Sequence, residues 1–131
     1  MNLVINWVYR IFYQLVKTRV GSAILRWMVI NMNKLLPLNH LRETKTLLAI
    51  YHPQPSYPFH VLLIPKNGLR NIFELGNAEK ELLFDIFQAT YSIVEEFGLE
   101  ESGYRLVLNG GSYQDVDMLH FHLISEFSIS S

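Results

Sequence analysis

The sequence predicts an α+β fold: an antiparallel sheet with one main helix after its second strand, and a separate helical segment at the N-terminus. Short apolar runs flanked by turn chemistry occur at Thr46-Leu-Leu-Ala-Ile-Tyr51, Phe59-His-Val-Leu-Leu-Ile-Pro65, Tyr104-Arg-Leu-Val-Leu108 and residues 118–125, the signature of strands. Two such runs, one helical stretch and two more runs lack the regular alternation of a doubly wound sheet. The charge is also divided: residues 1–34 carry five cations and no acid, whereas residues 35–131 carry six basic and twelve acidic residues, a net −6.

The first 35 residues read as one or two helices broken near Gly21-Ser22. Leu3, Trp7, Ile11 and Leu15, then Ile24, Trp27 and Met28, recur at roughly helical spacing. Arg10, Lys17, Arg19 and Arg26 interrupt every apolar run before it reaches the ~18–20 residues that span a bilayer. The cations are also spread through the segment rather than gathered ahead of an apolar stretch, as they are in a secretory signal, and the expected location is the cytoplasm. Such a basic, aromatic-rich segment either packs on its own domain or lies on a membrane surface, and both readings stay open.

Residues 36–131 form the second unit. After the two strands, Leu82, Leu83, Ile86, Phe87, Thr90, Ile93, Val94 and Phe97 make an i, i+3/i+4 stripe, which predicts a helix over about 78–97 capped by Asn77 and ended by Gly98. A strand follows, then the Asn109-Gly-Gly-Ser112 turn and the last strand. A chain of 131 residues with half its residues hydrophobic supports one domain. Without cysteine it holds no disulfide or catalytic thiol, so its chemistry falls to His, Ser or carboxylates. The basic concentration is confined to the apolar N-terminal segment, which excludes a nucleic-acid partner.

His120 and His122 in Met118-Leu-His-Phe-His-Leu-Ile124 point to one side of an extended strand, with Cα atoms ~6.5–7 Å apart. His60 lies in another predicted strand. Three chemistries suit these residues: ordinary sheet packing, a zinc site of neutral imidazoles, or covalent catalysis by an imidazole oriented through its second nitrogen. Spacing alone does not separate them.

A wider pattern does. Pro58-Phe-His-Val-Leu-Leu-Ile-Pro-Lys66, the helix, Gly103-Tyr-Arg-Leu-Val-Leu-Asn109 and Gln114-Asp-Val-Asp-Met-Leu-His-Phe-His-Leu-Ile124, taken in that order over residues 36–126, resemble the histidine triad superfamily of nucleotide hydrolases and transferases. The resemblance implies a homodimer and a nucleotidyl hydrolase or transferase acting on a phosphoramidate or dinucleoside polyphosphate. His120 matches the residue that takes up the nucleoside monophosphate as a covalent nucleotidyl-histidine. His122 matches the histidine that contacts phosphate and assists the leaving group, and His60 the upstream supporting histidine. Asn109 matches a polar residue near the phosphate, with Gln114, Asp115 and Val116 in the phosphate loop. No cofactor or protein-bound metal is required, though a divalent cation can accompany the substrate.

The chain departs from the pattern around one pocket. Met118 stands at the first histidine of His-x-His-x-His, and a thioether donates no hydrogen bond. Asp115 replaces a frequent Ser or Thr, and a carboxylate beside phosphate is unfavourable unless protonated, turned away or bridged by a cation. His52 replaces an Asp or Asn that holds the ribose hydroxyls, and the 109–114 loop is about two residues shorter than the common form. These changes imply a divergent enzyme or, alternatively, a catalytically weak or inactive nucleotide binder.

Overall fold

A computed structural model describes residues 3–32, 40–76 and 79–127. Two N-terminal helices, α1 (Leu3–Val16) and α2 (Arg19–Met32), precede the strands β1 (His40–Glu43), β2 (Leu47–Tyr51) and β3 (Phe59–Pro65). The long helix α3 (Lys80–Glu96), the single turn α4 (Leu99–Ser102) and the strands β4 (Arg105–Leu108) and β5 (Phe121–Ser125) complete the chain. The five strands form one antiparallel sheet in the order β1-β2-β3-β5-β4. The α+β antiparallel architecture is therefore the one predicted. β1 is an addition, which makes the strand preceding α3 the third rather than the second.

The sheet is covered on both faces, which explains why β2 and β3 read as continuous apolar runs rather than alternating ones. Leu47, Ala49, Phe59, Val61, Leu63 and Leu123 pack with Leu82, Ile86, Ala89 and Ile93 of α3. On the opposite face Leu48, Ile50, Leu62 and Ile64 meet Val16, Leu25 and Val29 of the N-terminal helices, together with Val116 and Met118. The period-2 alternation of the strands thus divides one apolar run between two cores. Because the N-terminal helices share the second core, they form a layer of this domain.

The helix break falls at Lys17-Thr18 rather than at Gly21-Ser22. The Thr18 hydroxyl accepts the Gly21 amide at 2.9 Å, an N-cap for α2. Gly21 lies in the first turn of α2, where a Cβ would stand 1.8 Å from the Leu15 carbonyl oxygen, so the tight turn between the helices requires glycine there. Ser22 is buried beside it and donates to the Val16 carbonyl. The proposed Asn77 cap lies outside the described residues; α3 begins at Lys80, and Gly98, in the left-handed region at φ 64°, ends it as predicted. No described helix is long and apolar enough to cross a membrane.

Candidate active site

β3 and β5 are neighbours, in the register His60↔Ile124 and Leu62↔His122, so His60 and His122 project from the same face, diagonally across the ladder. β2 runs on the other side of β3, and the His52 amide just beyond it donates to the His60 carbonyl at 2.9 Å. His52 consequently stacks on His60, ring centroids 4.3 Å apart, and His60 lies 5.1 Å from His122. His120 precedes β5 instead of lying within the ladder, and its ring meets His122 edge-on at 4.9 Å. Residues 118–120 leave the strand because the Met118 amide donates to Val116 and the Leu119 amide to Leu69.

The partners of these rings fix where each proton sits. Backbone amides only donate, so Gln54 N–H into His52 Nδ1 at 2.9 Å and Ser56 N–H into His60 Nδ1 at 3.1 Å place the protons of both neutral rings on Nε2. His60 Nε2–H then donates to His122 Nδ1 at 2.9 Å, leaving His122 with its own proton on Nε2. His120 is the opposite case: its Nδ1–H donates to the Met118 carbonyl at 2.6 Å, so Nε2 carries a bare lone pair.

All four rings are held neutral. Burial, reinforced by the neighbouring histidines, lowers His52 to about 3; burial and then His120 lower His60 to about 4. Burial, then His120 and His60, lower His122 to about 4, against an opposing pull from Asp115. His120 is also lowered by burial, although its bond to Met118 and the Asp115 charge act the other way.

His52, His60, His120 and His122 line a cavity of about 320 Å³ together with Asn109, Asp115, Val116 and Met118, walled on the far side by Tyr13, Val16, Leu25 and Val29 of the N-terminal helices. These helical residues belong to the site, although the sequence reading placed none of them there. Asn109 and Asp115 also line an adjoining cavity with Lys17, Arg19 and Arg70. Gln114 lies only in that second cavity, and its side-chain amide is committed to the Arg70 and Val116 carbonyls. Its backbone amide donates to Gly111, whereas the amides of Asp115 and Val116 have no acceptor among the described residues. Met118, 2% exposed, is a core residue under the histidines.

His52, His60 and His122 also offer nitrogens within 4.8 Å of one another, a spacing that suits a metal ion. The protons do not suit it. A metal on the Nε2 atoms of His52 and His60 requires both backbone bonds to be given up so that each ring can shift its proton.

The sheet order, the α3 cover and the histidines at the start of β5 together define the histidine triad class. The chain belongs to this family: the HIT domain model matches residues 33–129. A HIT-like protein of Helicobacter pylori is 30% identical over 92 residues, spanning 69% of this chain and 86% of the relative. A HIT family hydrolase from Clostridium thermocellum superposes with a TM-score of 0.69 at 31% identity, covering 82% of this chain and 93% of that one. A histidine triad nucleotide-binding protein from Candida albicans gives 0.64 at 27% identity, with coverages of 76% and 71%. The helices α1 and α2 precede the matched residues.

Proposed function

We propose that the protein is a nucleotidyl hydrolase or transferase in which His120 forms a covalent bond to the phosphorus of a nucleoside phosphate derivative. The observation that carries this reading is the His120 Nδ1–H bond to the Met118 carbonyl, because it leaves a neutral imidazole with its Nε2 lone pair bare in the cavity. Attack forms the Nε2–P bond as the bond from phosphorus to the leaving oxygen or nitrogen breaks. The departing oxygen or nitrogen takes a proton from solvent as it leaves. Water then cleaves the Nε2–P bond, its hydroxyl going to the nucleotide and its proton to solvent, while the bond electrons return to Nε2. His122 Nε2–H, with the amides of Asp115 and Val116, supplies donors for phosphoryl oxygens as their charge grows. His60 orients His122, Asn109 contributes a polar wall, and no cofactor takes part in this scheme.

The similarity to a HIT family hydrolase and a histidine triad nucleotide-binding protein supports the ligand class. Mass spectrometry after brief exposure to phosphoramidates and dinucleoside polyphosphates tests it. An acid-labile adduct is expected on the native chain and absent from His120→Ala. Saturable nucleotide binding without an adduct favours a second reading, a nucleotide binder, which the burial of Met118 at the position of a family imidazole also supports. We assign the homodimer contact to the exposed Phe84, Phe87 and Tyr91 of α3 and the outer strand β4. Equilibrium sedimentation of Phe87→Glu, expected to be monomeric, checks it.

A further inference from the structure

The outer face of the α1–α2 hairpin has the wrong chemistry for a helix pair facing water. Trp7, Val8, Ile11 and Leu15 of α1 are exposed, as are Val20, Ile24, Trp27 and Ile30 of α2, with Trp7 at 64%, Val20 at 71% and Trp27 at 57%. At ~100° per residue, Trp7, Ile11, Leu15 and Val8 fill one arc of α1, diametrically opposite the arc of Tyr13 and Val16 that packs on the sheet. The exposed residues of α2 likewise lie opposite Ser22, Leu25 and Val29. Since both inner arcs rest on the same sheet face, both apolar outer arcs look away from it. Exposed Arg10 flanks the arc on α1, and exposed Arg19 flanks that on α2.

We propose that this platform docks on an anionic lipid surface, with its two apolar arcs in the interface and Arg10 and Arg19 against lipid phosphates. The commitment to lipid rests on charge. Residues 1–34 hold five cations and no acid in a chain whose remainder is net negative. The exposed Phe84, Phe87 and Tyr91 of α3 lie on a helix that also carries Glu81, Asp85, Glu95 and Glu96, so the apolar face there lacks the complement to an anionic surface. Two tryptophans on a basic, apolar face are the composition of interfacial helices. Each helix is 14 residues long, or ~21 Å, short of the ~30 Å hydrocarbon layer, so the hairpin lies on the bilayer and does not span it. The inner side of the same hairpin walls the histidine cavity, which places that cavity immediately behind the docked surface. The proposal is independent of the reaction at His120.

Co-sedimentation of the full chain with phosphatidylcholine vesicles, with or without roughly one third phosphatidylserine, tests it. The expected result is pelleting with the anionic vesicles alone, weakened by salt. Each exposed cation contributes on the order of fivefold to partitioning, so Arg10→Glu with Arg19→Glu lowers it tenfold or more. Lys17 is left in place because it lies over the Tyr13 ring, a wall of the cavity. Ile24→Glu with Trp27→Glu abolishes pelleting while the urea midpoint stays close to native, since both side chains are exposed. Native protein left in the supernatant with both vesicle types overturns the proposal, as does unchanged pelleting of the charge-reversed chain. Conversion of an oligomer to a monomer by the apolar-face substitutions, without vesicle binding by the native chain, overturns it in favour of a contact between copies.

Discussion

Mild acid is expected to remove most of the stability of this domain through three of its histidines. In the unfolded chain each ring takes up a proton as the pH falls through 6.5, but in the fold His52 resists to about 3 and His60 and His122 to about 4. Burial is the first cause in each case. Below 6.5 the unfolded state therefore binds more protons, and stability that is complete above 6.5 is lost progressively toward pH 4. At about pH 5, ~1.5 units below the free imidazole value, a ring shielded from water loses about 2 kcal/mol; the half-buried His122 loses less, and the three together lose about 5 kcal/mol. That is comparable to the whole stability of a small domain. Urea midpoints measured by circular dichroism across this range should fall steeply, and His52→Gln should flatten the dependence by about a third. A midpoint constant between about pH 7 and pH 5, or an unaltered slope in the variant, would show that these rings are not held neutral by the fold.

Other perturbations address the scaffold around them. Ser22→Ala leaves the Val16 carbonyl and the Asp117 amide without their partner, and the melting temperature should drop by the equivalent of about 1–3 kcal/mol. Gly68→Ala should destabilise by at least about 1–2 kcal/mol: Gly68 sits at φ 70°, and an added Cβ would fall 2.5 Å from Ile30 Cδ1. Calorimetric titration with zinc should show no tight stoichiometric site, and chelators should leave adduct formation intact; stoichiometric zinc after purification contradicts the proton positions assigned to His52 and His60.

The strands β2, β3 and β4 were legible because burial on one or both faces gives them apolar runs. β1 was not, since His40-Leu-Arg-Glu43 is short and polar and lies at the sheet edge, with an irregular register against β2 between His40 and Arg42. The start of β5 was misplaced by three residues because Met118 and Leu119 are buried for core packing, not for ladder pairing. At the site, the family pattern brought His60, His120 and His122 together; the register of β3 against β5 places His60 beside His122, and His120 meets His122 from just before the ladder. His52 was legible only as a replacement for an Asp or Asn that holds ribose hydroxyls; its stacking on His60 in the wall of the cavity follows from β2 running beside β3, which the sequence does not display. Gln114 was read as a phosphate donor from its position in the loop, whereas its amide holds two carbonyls. The helical wall was hidden because nothing in residues 1–34 indicates which face of the sheet they cover.

The fixed protons give the cavity an electrical polarity that its neutral rings conceal. From the Ser56 amide through His60 to His122 every N–H bond runs the same way, so the ring dipoles add and the positive end of the chain is His122 Nε2–H. An anion in the cavity then meets oriented dipoles at short range rather than mobile cations, and such attraction is little screened by ions in solution. The cationic rim of the hairpin is exposed and screened in full. Raising the ionic strength should therefore separate two affinities for phosphate in one small chain, releasing the surface first and the cavity last.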